Sequence, residues 1–239
     1  MATPKILLHA VYLFVTFAVC FLVALLGQYY IWQNVDASNV EPLEDFMFKY
    51  LPDFSDYFKK YPVPNWVFLT MIIVALFSFE YNKVFQYTAQ YIFLQSLLSG
   101  TRGLLVGLTL MPLTVHNEAC LHVPSTYFEA FENTIKYGSC GDFMWSGHTA
   151  SAFLLYLFVE RHHKHYAFQF VQGLLLGGMF LSLLVLHWHY TLDIVMALIA
   201  SYLVFFVYKD YEEKSDYWFY FHEFIITDTS RKDYKIITS

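Results

Sequence analysis

The chain has 239 residues, of which 57% are hydrophobic, 21% aromatic and only 14% charged, and its formal net charge at pH 7 is −6. A mean hydropathy of +0.42 is too high for an ordinary soluble domain, and the negative charge argues against a nucleic-acid-binding surface. Three cysteines are too few for a disulfide framework. The composition therefore predicts an integral membrane protein that binds no nucleic acid.

Six apolar segments follow one another along the chain and predict an all-α, polytopic membrane protein with six transmembrane helices. A single membrane domain then covers residues 1–239, with residues 209–239 as a cytoplasmic tail. The first segment could also be a signal peptide, but it is long enough to cross a hydrocarbon layer of roughly 30 Å and no small-residue cleavage site follows it. We place the segments at about 6–32, 66–82, 84–110, 145–160, 166–187 and 190–208.

Two large polar loops interrupt these segments. The loop at 33–65 contains prolines that break any continuous helix, and we expect only a short surface helix in it, around Glu44–Tyr50. The second loop runs from Pro112 to Asp142 and contains Cys120 and Cys140, which an oxidising lumen would allow to pair, although two unrelated thiols are the alternative. The distribution of Lys and Arg favours cytoplasmic termini, with both loops on the opposite face.

Two polar clusters beside apolar segments contain the residues best suited to catalysis. Ser146-Gly147-His148-Thr149 begins the fourth segment, and His189-Tyr190-Thr191-Leu192-Asp193 lies where the fifth segment meets the sixth. Both clusters therefore fall on the membrane face that bears the large loops. His189 and Asp193 are four residues apart and share one face of a helix, so Asp193 could orient one ring nitrogen while the other attacks phosphorus.

The remaining candidates are suited to binding and protonating a phosphate. Ser146 and Gly147 lie at a predicted helix start, where unpaired backbone N–H groups favour an anion. His148 could donate a proton to a leaving oxygen and later accept one from an acceptor hydroxyl. Arg102 is the only charged residue of the third segment and offers a planar fork of donors for phosphate oxygens.

Each of these residues also has a purely structural interpretation. A membrane histidine can hydrogen-bond across helices, Ser146 can serve as a helix N-cap, and Asp193 could form an ion pair with Arg102. A metal site formed by His187, His189 and Asp193 is a further alternative, although histidines two residues apart fit ligation from a helix poorly. We therefore favour phosphoryl transfer over metal binding.

The two clusters resemble the signatures of a known family. Residues 140–149, CGDFMWSGHT, resemble the CGDxxxSGHT signature of the sphingomyelin synthase family, and residues 189–193, HYTLD, resemble its HYTxD signature. Arg102 precedes Pro112 by ten residues, as a family arginine precedes a Leu-Pro pair. Leu51-Pro52-Asp53 is similar to a family segment in the first loop. That family belongs to the type 2 phosphatidic acid phosphatase superfamily.

The resemblance covers about residues 45–210 and implies a lipid phosphatase/sphingomyelin synthase-like bundle with a two-step reaction. It implies that His189, supported by Asp193, attacks the phosphorus of phosphatidylcholine or phosphatidylethanolamine, and that diacylglycerol leaves. Ceramide, deprotonated by His148, then accepts the head group. The resemblance implies no metal and no organic cofactor.

Several points stay open within this resemblance. Asp142 and Trp145 are candidate head-group contacts, but choline, ethanolamine and inositol donors all fit the sequence. A lipid phosphate phosphatase and a non-enzymatic membrane protein are the alternative functions, and a homo-oligomer is left open. The family implies a Golgi, plasma or endoplasmic reticulum membrane, with the site facing the lumen or exterior and the termini in the cytoplasm.

Overall fold

The computed structural model describes residues 4–34, 43–55, 62–106, 122–137 and 145–214. Within these ranges the chain forms helices and no strand, which confirms the prediction of an all-α protein. A short helix in the first loop was expected and is confirmed by α2. In chain order the helices are α1 (Pro4–Asn34), α2 (Phe46–Tyr50), α3 (Val63–Ser78), α4 (Val84–Val106), α5 (Tyr127–Tyr137), α6 (Gly147–His162), α7 (Tyr166–Val185) and α8 (Thr191–Lys214).

The helix bounds differ from the predicted segments by a few residues, for local reasons. α3 begins at Val63 because Pro64 fits the first turn of a helix, where its missing N–H needs no partner. The same helix ends at Ser78, since Phe79 adopts an extended backbone with φ −81° and ψ 156°. α8 continues to Lys214, so the first residues of the predicted tail are helical.

Among the residues that the structure describes, three helical segments are long and apolar enough to cross a bilayer by themselves: Phe14–Asn34, Tyr166–Val185 and Thr191–Asp210. α3 and α6 have 16 residues each, which is about 24 Å at 1.5 Å per residue, against a hydrocarbon core of about 30 Å. α4 is longer, at 23 residues, but carries Arg102 and three glutamines. The long apolar helices support an integral membrane protein, whereas six crossings stay a prediction.

The centre of the bundle is α6, which contacts α3, α4, α7 and α8. Its interior face is fully buried at Leu154, Phe158 and Val159, so it packs against neighbours on several sides. Large apolar side chains cover the outside of α1 and α7, where Phe14 and Phe170 are both exposed. Exposed apolar surface of this kind is what a helix bundle presents to lipid acyl chains.

α1 crosses α4 at a contact that leaves no room for side chains. A Cβ on Gly27 would lie 2.8 Å from the Cα of Gly103, and a Cβ on Gly103 would lie 2.7 Å from the Cα of Ala24. Small residues at a crossing allow two helix backbones to approach this closely. α1 therefore packs as part of the bundle, and the crossing lies one residue from Arg102.

The two ends of the bundle differ in what they contain. At one end the short connections 79–83 and 163–165 meet, since the N–H of Lys164 donates to the carbonyl of Ser78 at 3.0 Å. At the other end, Trp32 of α1 donates from Nε1 to Thr134 Oγ1 of α5 at 3.0 Å. The same end holds the C-terminal part of α4, the N-termini of α6 and α8, and α2. Both polar clusters therefore lie at the loop-bearing end.

Candidate active site

The connection between α7 and α8 presents His189 and Asp193 together. The Oδ2 atom of Asp193 lies 3.4 Å from Nδ1 of His189 and accepts a hydrogen bond from the N–H of Tyr190 at 3.0 Å. Asp193 is fully buried, and His189 is only 8% exposed. Because the backbone N–H holds the carboxylate, the carboxylate can restrain the imidazole, so that Nε2 faces away from Asp193.

His187, two residues earlier, is engaged with the first loop. Its φ of 53° is in the left-handed region, which is uncommon for a residue other than glycine. Its ring stacks on Phe48 with centroids 4.0 Å apart, and its Nδ1 lies 3.7 Å from Oδ2 of Asp53. Within the described ranges, no three His, Cys, Asp or Glu residues are grouped so that they could hold a metal ion.

Ser146 connects the two clusters directly. Its Oγ accepts a hydrogen bond from the N–H of Thr149 at 3.2 Å, so it is the N-cap of α6. Its own N–H donates to the backbone carbonyl of Asp193 at 3.1 Å. Ser146 is fully buried. The start of α6 is thereby held against the first turn of α8.

Arg102, near the C-terminal end of α4, places its guanidinium over the backbone of Gly147. A Cβ at position 147 would lie 2.7 Å from Nη1 and 3.2 Å from Cζ of Arg102. Only glycine leaves that space to the guanidinium. A helix N-terminus carries partial positive charge and unpaired N–H donors, and the guanidinium adds a full charge beside it. The two together form an arrangement suited to phosphate oxygens.

His148 lies in the first turn of α6 and completes this group. Its Nε2 is 2.6 Å from Oδ1 of Asn65 at the start of α3. Its ring makes an edge contact with Trp188, with centroids 6.1 Å apart. Trp188 immediately precedes His189, and Gly147, which lies under the Arg102 guanidinium, immediately precedes His148, so all three side chains come from one region. The fold thus brings two histidines and one arginine, drawn from three parts of the chain, to the same end of the bundle.

The other predicted site residues are placed differently. Trp145 is 6% exposed and packs against Ala150 and Ala197, so its ring is part of the packing between α6 and α8. That burial leaves little of the ring for a head group to contact. The predicted head-group residue and the predicted disulfide lie outside the described residues: Asp142, Cys120 and Cys140.

Two residues of this region are not predicted by the sequence. Asn65 contacts His148 across 83 positions of the chain, and Asp45 accepts two hydrogen bonds from Thr191 across 146 positions. No local pattern identifies such partners, because the contacts exist only once distant segments have packed together. The one hint for Asn65 is a lone polar residue at the start of an apolar segment.

Comparison with known proteins identifies relatives of this region. Residues 139–210 match the family described as PAP2 superfamily C-terminal. Over 60 residues, the chain is 38% identical to phosphatidylcholine:ceramide cholinephosphotransferase 2 of Homo sapiens and 40% identical to that of Rattus norvegicus and Mus musculus. These 60 residues are 24% of this chain and 16% of each relative, so the matched segment is a small part of the relatives' length.

Proposed function

We propose that the protein transfers a phosphorylated head group from a glycerophospholipid to ceramide, because residues 139–210 match the PAP2 superfamily C-terminal family and 60 residues of the chain are similar to phosphatidylcholine:ceramide cholinephosphotransferases. Phosphocholine is the proposed head group, since the relatives are named for phosphatidylcholine and ceramide. The observation that carries the proposal is the guanidinium of Arg102 over Gly147, with His148 next in the chain and the helix of Asp193 bound to Ser146 through its backbone carbonyl. A lipid phosphodiester needs a cation, a nucleophile and a proton donor at one place, and this arrangement can supply all three.

In the first proposed step, Nε2 of His189 attacks the phosphorus of phosphatidylcholine. The contact between Asp193 Oδ2 and Nδ1 supports this role, because it keeps the proton on Nδ1 and the lone pair on Nε2. As the N–P bond forms, the bond from phosphorus to the diacylglycerol oxygen breaks. His148, which begins this step as the imidazolium, gives the proton on its Nδ1 to that oxygen, and diacylglycerol leaves. Phosphocholine is then bound to His189 as a phosphoramidate.

In the second proposed step, His148 removes the proton from the primary hydroxyl of ceramide. The hydroxyl oxygen attacks phosphorus and the N–P bond breaks. Sphingomyelin is released, and His189 returns to its neutral form. Asn65 supports this role of His148. With its amide oxygen as acceptor, Asn65 holds a proton on Nε2, and Nδ1 is then the basic nitrogen.

Arg102 and the start of α6 stabilise the charge that develops between these states. Negative charge on the equatorial phosphate oxygens increases as the histidine approaches. Fixed donors aimed at those oxygens favour the transition state more than the ground state, because they need no reorganisation during the reaction. The guanidinium can bind two oxygens at once, which a lysine cannot do.

If water replaced ceramide as the acceptor of the phosphoryl group, the same residues would catalyse the reaction of a lipid phosphate phosphatase. The test must therefore compare the two acceptors. The purified protein would be incubated in mixed micelles with phosphatidylcholine labelled in its phosphate, with and without ceramide, and separately with labelled phosphatidic acid. We expect labelled sphingomyelin only when ceramide is present. Release of inorganic phosphate from phosphatidic acid, with no transfer to ceramide, would instead establish the phosphatase.

The same assay identifies the preferred head group and measures the label transfer that does not depend on the protein's activity. Phosphatidylethanolamine and phosphatidylinositol would replace phosphatidylcholine in parallel incubations, and the donor used fastest defines the natural head group. The His189→Ala variant, purified in the same way, provides the blank. Equal label transfer by the variant and the wild type would refute the proposed reaction.

We also propose that the loop-bearing end faces the lumen or the exterior, in a Golgi, plasma or endoplasmic reticulum membrane, with both termini in the cytoplasm. The excess of Lys and Arg at the other end supports this orientation. The short connections 79–83 and 163–165, which meet there, contain Lys83 and Lys164.

A further inference from the structure

Asp45 joins the starts of α2 and α8 through a contact with Thr191, 146 positions away in the sequence. Its Oδ1 accepts hydrogen bonds from the N–H of Met47 at 2.9 Å and of Phe48 at 3.3 Å, so it is the N-cap of α2. Its Oδ2 accepts from the N–H of Thr191 at 2.7 Å, and its Oδ1 accepts from the Thr191 hydroxyl at 2.6 Å. One carboxylate therefore accepts hydrogen bonds from backbone N–H groups in the first turns of both α2 and α8, which have no partner within their own helix.

Further contacts hold residues 43–54, which we call the first-loop segment, against the connection that carries His189. They restrain this connection on both sides of the histidine, because some precede it in the sequence and one follows it. They are the N–H of Leu43 donating to the Tyr190 hydroxyl at 3.1 Å, the Phe48 ring stacked on His187 at 4.0 Å, and the N–H of Phe54 donating to the carbonyl of Val185 at 2.8 Å.

The bond from Asp45 to Thr191 also determines what Asp193 can do. At the N-terminus of α8, Asp193 accepts the N–H of Tyr190 while its Oδ2 contacts His189. Without Asp45, the N–H of Thr191 would lose its acceptor, and Asp193 is the nearest carboxylate on the same helix turn. Rotation of Asp193 toward that donor would weaken its hold on the imidazole. The first-loop segment thus supplies the acceptor for Thr191, and Asp193 is left to hold the N–H of Tyr190 and the imidazole of His189.

We propose that Asp45 is a positioning residue for His189, acting through Thr191 and the docked first-loop segment. Its effect on turnover rests on the proposed function, because His189 is the nucleophile there. Its effect on the orientation of His189 does not depend on which reaction the protein performs. The two effects can therefore be measured separately.

The central variant is Asp45→Asn, which keeps the size of the side chain but offers one acceptor oxygen instead of two and turns an NH2 group toward a donor. We expect kcat to fall by about 10- to 100-fold, the range for a displaced catalytic group, with little change in KM. Thr191→Ser keeps both donors and should behave as the wild type, whereas Thr191→Val loses the hydroxyl and should show part of the loss. Glu44→Gln removes a neighbouring exposed carboxylate and is the matched control.

A second measurement follows His189 without any substrate. Diethyl pyrocarbonate modifies accessible neutral imidazoles, and mass spectrometry gives the rate at each histidine. We expect His189 to react several-fold faster in Asp45→Asn than in the wild type or Glu44→Gln, because a loosened connection exposes its ring. His165, which is exposed at the opposite end of the bundle, should react at the same rate in every variant and is the internal reference.

The outcomes separate this proposal from the proposed function. A faster reaction of His189 in Asp45→Asn supports positioning even if the wild type transfers no head group. Unchanged reactivity of His189 and unchanged turnover per folded molecule, with a lowered melting temperature, would overturn it and leave Asp45 as a stabilising cap. If Asp45→Asn does not fold, the same comparison between Thr191→Val and Thr191→Ser decides the question.

Discussion

The guanidinium of Arg102 lies against the backbone of Gly147, so close that a Cβ at position 147 would meet Nη1 at 2.7 Å. Arg102 belongs to α4 and Gly147 is the first residue of α6, so the contact joins a charged side chain to a helix N-terminus. Glycine at this position gives the guanidinium room beside the N–H groups of the first turn. Both kinds of donor can then reach one phosphate.

Gly147→Ala should displace the guanidinium without unfolding the protein. Alanine is compatible with the first turn of a helix, so we expect little change in melting temperature, but its methyl group would occupy the space of Nη1. We expect kcat to fall by about 10- to 100-fold, because a small misplacement of a catalytic group has effects of that size. Gly177→Ala is the matched control, since a Cβ there meets nothing within 4 Å. Normal turnover by Gly147→Ala would refute a role for this contact.

Substitution of Arg102 tests the phosphate-binding role itself. Arg102→Ala removes the charge and should lower kcat by about 100- to 1000-fold, the effect of losing one donor that stabilises a transition state. Arg102→Lys keeps the charge but loses the planar fork, so its loss should be smaller. Turnover per folded molecule and the melting temperature would be measured together. Normal turnover with a lowered melting temperature would mean that Arg102 holds the helices together instead.

His189 and Asp193 should differ in how much of the head-group transfer rate is lost when each is replaced. His189→Ala should abolish transfer, whereas Asp193→Asn should retain a small rate, because the amide can still accept the N–H of Tyr190 but favours the wrong tautomer of the imidazole. A loss of about 10⁴-fold is expected for Asp193→Asn. Rapid quenching would measure label bound to the protein. Label bound to His189→Ala would contradict the nucleophile assignment, and His165→Ala is the control.

Asn65 should matter for the second step more than for stability. Asn65→Ala removes the acceptor 2.6 Å from Nε2 of His148, so the ring loses both a fixed orientation and a fixed tautomer. We expect slower transfer to ceramide and an altered dependence of kcat on pH. Asn82→Ala, at an exposed position in the connection at the opposite end, is the matched control. Identical pH profiles for Asn65→Ala and the wild type would exclude this role.

The orientation of the bundle can be tested by glycosylation. An acceptor site inserted in the loop at 33–65 or in the loop from Pro112 to Asp142 should be modified, and one in the tail after Lys214 should not, if the loop-bearing end faces the lumen. The opposite pattern would move the proposed active site to the cytosol. It would also keep Cys120 and Cys140 reduced, because cytosolic thiols rarely form disulfides.

The helices at Phe14–Asn34, Tyr166–Val185 and Thr191–Asp210 follow from the sequence, because each of these apolar runs is long and continuous enough to cross a bilayer, where a helix satisfies its own backbone hydrogen bonds. The bounds shift by a few residues where caps decide them, as at Pro64 in α3. The pair His189–Asp193 is equally local, since four residues bring two side chains to one helix face. Ser146 as an N-cap is local for the same reason.

Contacts between distant segments were decided by the tertiary structure alone. Asn65 contacts His148 across 83 positions and Asp45 contacts Thr191 across 146. No local sequence pattern predicts a contact between residues so far apart in the chain. The place of Arg102 over Gly147 likewise depends on how α4 packs against α6. The sequence by itself therefore determined which residues are chemically able to act, because residue type and local spacing depend on neighbours in the chain. Only packing determined which groups orient them, because a side chain meets a distant partner only where two helices are held together.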